Sequence, residues 1–140
     1  MEEFIQNQLA KIESVKKTYS ALFAKDTPIV PINFFGNIYK AKIITVGVNP
    51  SANELRTNNW HSTMNNQEIM EKLIHYYQNN PHPWFKTWEQ ALNQIDYSYY
   101  DGTTAHVDIC PWGTKSISTL KSENNMGLFE RLLGRISSFR

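Results

Sequence analysis

Residues 41–51 read AKIITVGVNPS, an apolar run rich in β-branched side chains that stops at a polar turn. Ile43, Ile44, Val46 and Val48 favour a strand, and their near-continuous apolar character points to one buried on both faces of a parallel sheet. Gly47 lets a ligand approach the backbone, Asn49 carries an amide that both donates and accepts, and Pro50 removes a ladder N–H. Ligands of open α/β sheets collect beyond the carboxyl ends of the strands, which makes Asn49, Pro50 and Ser51 candidate contacts. The Asn-Pro-Ser tripeptide also reads as a plain strand-to-loop turn.

On the N-terminal side, Ile5, Leu9, Ile12, Val15, Tyr19, Leu22 and Phe23 recur at steps of three and four, the mark of one amphipathic helix from Glu2 to about Lys25. Pro28 and Pro31 then confine residues 29–35 to a sheet edge or a loop. On the C-terminal side, residues 52–64 are polar and aperiodic, so Trp60 and His61 sit in what reads as a lid or substrate-edge loop. Asn66 is placed to cap a helix over 67–78. A further helix over 84–95 would group Phe85, Trp88, Leu92 and Ile95, and the Asp101-Gly102 turn leads into a second strand over 104–109. That strand ends in its own polar turn, Cys110-Pro111-Trp112-Gly113-Thr114. Two strands joined by helices in this way call for a right-handed crossover that brings both turns to the same rim. A final amphipathic helix is expected over 125–139, with Arg131, Arg135 and Arg140 on or near its solvent side.

The composition limits the choice of function. A chain of 140 residues with 41% hydrophobic and 13% aromatic content supports one core, and we read residues 1–140 as a single α/β domain. Fourteen Lys and Arg face 13 Asp and Glu, so any nucleic-acid contact must come from a local patch or from stacking rather than from net charge. The lone Cys110 forbids an intrachain disulfide and fits a reducing compartment. With an acidic N-terminus and no apolar run of spanning length, the expectation is a cytoplasmic protein without membrane contact. His61, His75, His82 and His106 lack metal-ligand spacing, so neither a metal nor another cofactor is expected. Glu54 could assist a water, with an exposed ion pair as its default role, and Lys115 and Lys121 are candidate phosphate contacts.

Three segments in order, VGVNPSANE (46–54), NPHPWFKTWEQAL (80–92) and AHVDICPWGTK (105–115), resemble the uracil-DNA glycosylase superfamily. The first turn is similar to the G-x-N-P of its single-strand-selective and mismatch-specific members. The resemblance spans roughly residues 40–118. It implies a three-layer α/β/α fold with a reduced or truncated parallel sheet. It also implies hydrolysis of the bond between a flipped, deaminated base in DNA and its deoxyribose. Asn49 would position the attacking water, and Phe85, Trp84 and Trp112 are candidate stacking surfaces for the base. Where relatives carry the Asn of N-x-C-P, this chain has Asp108, two residues after His106. An ionised carboxylate there accepts the uracil N3–H yet repels O4, unless a dry pocket keeps it protonated. Asp108 therefore leaves open another base, a role capping the following loop, or lost activity.

Members of that superfamily usually continue into further strands and a His-containing motif, which this sequence lacks before Arg140. The alternative to an enzyme is accordingly an inactive or truncated relative serving as a nucleic-acid-binding or protein-interaction module. Its shortened sheet would expose an edge inviting a homodimer or a protein partner. A nucleotide-phosphate site at Asn-Pro-Ser is disfavoured, since no Gly-rich loop opens into a helix there.

Overall fold

The computed structural model describes residues 2–20, 23 and 27–116. Lys121 and the helix expected over 125–139, with its three arginines, lie outside the described residues. The N-terminal periodicity gives two helices rather than one, α1 (Glu2–Leu9) and α2 (Ile12–Tyr19). No proline or glycine separates them. Instead Ile5 enters the main core while Ile12 enters a second cluster with Phe23, Ile29, Cys110 and Trp112, and Leu9 touches both. One straight helix could not feed both clusters.

The sheet has three described strands, β1 (Phe34–Phe35), β2 (Ile43–Gly47) and β3 (Thr104–Asp108), in the order β1-β3-β2. β3 pairs parallel with β2 and antiparallel with β1, so the sheet is mixed rather than purely parallel. β2 does not lie buried on both faces. Ile44 and Val46 are 45% and 66% exposed, while Ile43 packs on the core. β-Branched residues suit a strand whether or not both faces are covered, which is why the apolar run overstated the burial.

The segment read as a lid begins instead with helix α3 (Ala52–Thr57), whose cap is Ser51, its Oγ accepting the Asn53 N–H at 3.1 Å. Trp60 is plugged into the core at 2% exposure, with the Lys72 ammonium 5.3 Å from its ring centroid. Helix α4 (Asn66–Ile74) starts one residue earlier than expected because Asn65, not Asn66, is its cap. Asn65 Oδ1 accepts the Glu68 N–H, and the Glu68 carboxylate accepts the Asn65 N–H, a reciprocal capping box. A short 3₁₀ turn (Tyr76–Gln78) follows. Helix α5 (Trp84–Asn93) buries Phe85 and Leu92 but leaves Trp88 and Ile95 exposed.

Helices with this small mixed sheet make an α/β fold, and among the described residues no helix is long and apolar enough to cross a membrane. Replacing Asn65 by Ala removes the bond from the Glu68 N–H to Oδ1 while the backbone N–H of residue 65 still donates to Glu68. The loss is expected to cost about 1 kcal/mol, read as a lowered midpoint in urea at unchanged slope.

Candidate functional site

The parallel register sets Thr45 opposite His106 and Gly47 opposite Asp108. Beyond the strands the two turns stay side by side. The Ile109 and Cys110 N–H groups donate to the Gly47 and Val48 carbonyls, and Ser51 bridges to Thr114. Both polar turns thus line one cleft of about 440 Å³, whose walls include Gly47, Asn49, Pro50, Ser51, His106 and Asp108. That volume lies within the range of small-molecule sites.

A row of side chains crosses the sheet on the cleft side. Phe35 of β1 lies parallel to the His106 ring, with centroids 6.3 Å apart and planes inclined by 22°. His106 Nδ1 is 2.8 Å from Thr45 Oγ1, which is 2.8 Å from the Tyr99 hydroxyl. On its other side His106 Nε2 stands 3.5 Å from Asp108 Oδ1. Thr45 Oγ1 also reaches the Ala105 carbonyl at 3.3 Å, which allows two proton arrangements. Either Thr45 donates to Nδ1 and the ring carries its hydrogen on Nε2, or Nδ1 donates to Thr45 and bare Nε2 faces a protonated Asp108. In both, one proton sits between Nε2 and Oδ1. Burial pushes the Asp108 carboxyl above its usual range, and the adjacent His106 only partly offsets this.

Gly47 is explained by the same pair. A Cβ built there would stand 2.6 Å from both Asp108 Oδ1 and His106 Nε2. The residue is small to make room for the protein's own side chains, and it also lines the cleft.

Asn49 is held by its nitrogen. Nδ2 donates to the Pro50 carbonyl at 2.8 Å and to Thr114 Oγ1 at 3.0 Å, tying the first turn to the second. Both amide hydrogens are then committed, so Oδ1 is the atom through which this side chain can meet a ligand or water.

The three aromatic candidates separate. Phe85 lines the cleft from below as part of a buried aromatic cluster with Phe35, Tyr76, Tyr77 and Tyr99. Trp84 is 42% exposed at the cleft wall, edge-on to His106 at 5.2 Å. Trp112 does not reach the cleft and is buried with Ile12, Phe23, Ile29 and Cys110. Its turn bends so that Thr114 and Lys115, rather than the indole, reach the cleft. Burial pushes the Cys110 thiol up to about 11, away from thiolate chemistry.

No protein-family model matches this chain, and the comparisons with curated proteins and with solved structures likewise give no match.

Two cleft residues carry more than their sequence context announced. Glu54 is not an exposed ion-pair partner: it is 2% exposed, Asn58 Nδ2 donates to Oε1, and Oε2 has no hydrogen-bond partner. Burial pushes its carboxyl up, with Asn58 the foremost group opposing the shift. Ser51-x-x-Glu54 has the form of a capping box, the one signal in sequence for this helix start, yet Glu54 turns inward instead of back to Ser51. His82, from the Pro-His-Pro break, lines the cleft and accepts the Trp84 N–H on Nδ1 at 3.2 Å. In that arrangement the neutral ring carries its hydrogen on Nε2 as a donor.

Among the described residues no cluster of three or more His, Cys, Asp or Glu could hold a metal. Gly47→Ala is expected to overpack the His106–Asp108 contact and cost about 1–3 kcal/mol, measured by denaturant unfolding.

Proposed function

We propose that this chain is a uracil-DNA glycosylase-like domain, of the three-layer α/β/α kind, that accepts a base flipped out of DNA and hydrolyses its bond to deoxyribose. The observation that carries the reading is the convergence of Asn49 and Asp108, from the ends of two parallel strands, on one cleft of about 440 Å³.

The chemistry needs three things from the protein. A water must be aimed at the sugar carbon, the leaving base must be stabilised as it takes the bonding pair, and the flipped base must be held. Asn49 is suited to the first task, since its committed nitrogen fixes the plane of the amide and leaves Oδ1 to accept one water hydrogen. An amide is too weak a base to deprotonate that water, so the rate rests on orientation and on the leaving group.

The His106–Asp108 pair is suited to the second. The proton between Nε2 and Oδ1 can be offered to the base edge as negative charge develops, and Thr45 and Tyr99 hold the imidazole in place from behind. As the water oxygen bonds to the sugar carbon, the carbon–nitrogen bond breaks, the base departs with the electron pair and the water's proton passes to solvent. For the third task Trp84 offers an exposed ring at the cleft wall, and Trp88 lies beside it at 5.7 Å.

The test is alkali-induced strand cleavage of single- and double-stranded oligonucleotides, each carrying one altered base. Wild-type protein is expected to cleave at least one substrate, and Asn49→Ala to lower the rate by roughly 10²–10³-fold while leaving the fold intact. Absence of cleavage by folded wild-type protein on every substrate would refute the reading.

A further inference from the structure

We propose that Glu54 is a base-reading residue of the cleft and that the preferred ligand is a heterocycle bearing an exocyclic amino group beside a ring carbonyl. This rests on the base-binding reading above and names the substrate class for the same site.

One carboxyl oxygen of the cleft makes no close hydrogen bond, although the Tyr76 hydroxyl acts on the same carboxyl. Glu54 lies in the cleft wall almost wholly buried, with Oε1 committed to Asn58 and Oε2 without a partner. Leaving a buried carboxyl oxygen unpaired is costly, and a fold tolerates it where a ligand supplies the missing donor. Asp108 adds a second buried carboxyl to the same cleft, and Asn49 adds an amide oxygen whose own nitrogen is committed elsewhere. Against these acceptors stand the His82 Nε2–H and the Lys115 side chain, which also lines the cleft. A base edge made of carbonyl oxygens alone, flanking a single N–H, leaves at least one of the Glu54 and Asp108 carboxyls without a donor. An amino group supplies two donors for the carboxyls, and an adjacent carbonyl takes the His82 hydrogen.

Binding of paired deoxynucleosides that differ at one position tests this. Deoxyguanosine is compared with deoxyinosine, and deoxycytidine with deoxyuridine, by isothermal titration of the full chain. The amino-bearing member of at least one pair is expected to bind 10-fold or more tightly, and Glu54→Gln to reduce that ratio below about threefold. Equal binding within both pairs, tighter binding of deoxyinosine and deoxyuridine, or no binding of any of the four overturns the proposal. An active glycosylase would leave the parent reading standing in each of those cases.

A melting comparison separates reading from packing. The Glu54 carboxyl is held above its ordinary value of 4.5 by burial, which outweighs the Asn58 amide, the Tyr76 hydroxyl, His82 and Lys72, all of which favour the charged form. The wild-type stability linked to this proton is therefore full below that value and is lost as pH rises through the raised one. Gln escapes the loss. Glu54→Gln is expected to melt with the wild type at pH 4 and about 3 °C or more above it at pH 8, while binding the amino-bearing ligand less well. A variant that melts lower at both pH values would assign Glu54 a packing role and overturn the proposal.

Discussion

Everything in the cleft depends on the register of β2 against β3. Thr45 faces His106 and Gly47 faces Asp108 because the two strands run parallel with those residues level. A slip of one residue would turn His106 and Asp108 away from the row that includes Phe35 and Thr45, since side chains alternate across a sheet. The register is locked at both ends. Lys42 and Ile43 donate to the Thr103 carbonyl below the strands, while the Ile109 and Cys110 N–H groups continue the ladder into the turns above. A mixed sheet of three described strands is small, and much of its order is supplied by the aromatic cluster pressed against the Phe35 side. There Phe85 meets Phe35, Tyr76, Tyr77, Tyr99 and His106 edge-on, each between 5.2 and 5.6 Å.

The cleft is poorly compensated electrostatically. Two buried carboxyls, Asp108 and Glu54, share its wall, and burial raises both. The first has an imidazole beside it, while the second has the Asn58 amide on Oε1 and no close hydrogen bond on Oε2, with the Tyr76 hydroxyl, His82 and Lys72 also favouring its charged form. Such an arrangement lowers the stability of the folded chain at neutral pH and leaves the pocket poised to accept donors. If Glu54 reads a base as proposed, stability and recognition pull in opposite directions there, as they do at many ligand sites.

The sequence disclosed the two strands, the two polar turns and their meeting, because strand ends and prolines are local signals and a parallel pair aligns its carboxyl ends. It also disclosed Asn49 in the first turn and Asp108 within the second strand. It misplaced what depends on distant packing. The apolar run 43–48 gave no sign that Ile44 and Val46 face outward, since the residue types that favour a strand are the same on both faces. Trp112 and Trp60 belonged in the core, where large aromatic side chains most often go, although their polar neighbours made them look like site residues. Glu54 was hidden by composition: a glutamate in the first turn of a short helix reads as solvated, and only the tertiary fold shows it turned inward.

The Thr45–His106 contact joins residues 61 positions apart. Bringing those ends together requires the intervening crossover, with α3, α4 and α5, to be compact first, because closing a loop of that length costs entropy before any ladder bond repays it. The capped helix α4 and the aromatic cluster can begin to form from shorter-range contacts, whereas the cleft has no local precursor. Its walls exist only where the two strand ends are paired. Any change that undoes the β2–β3 pairing therefore abolishes the cleft with it, so the site lasts only as long as the sheet does.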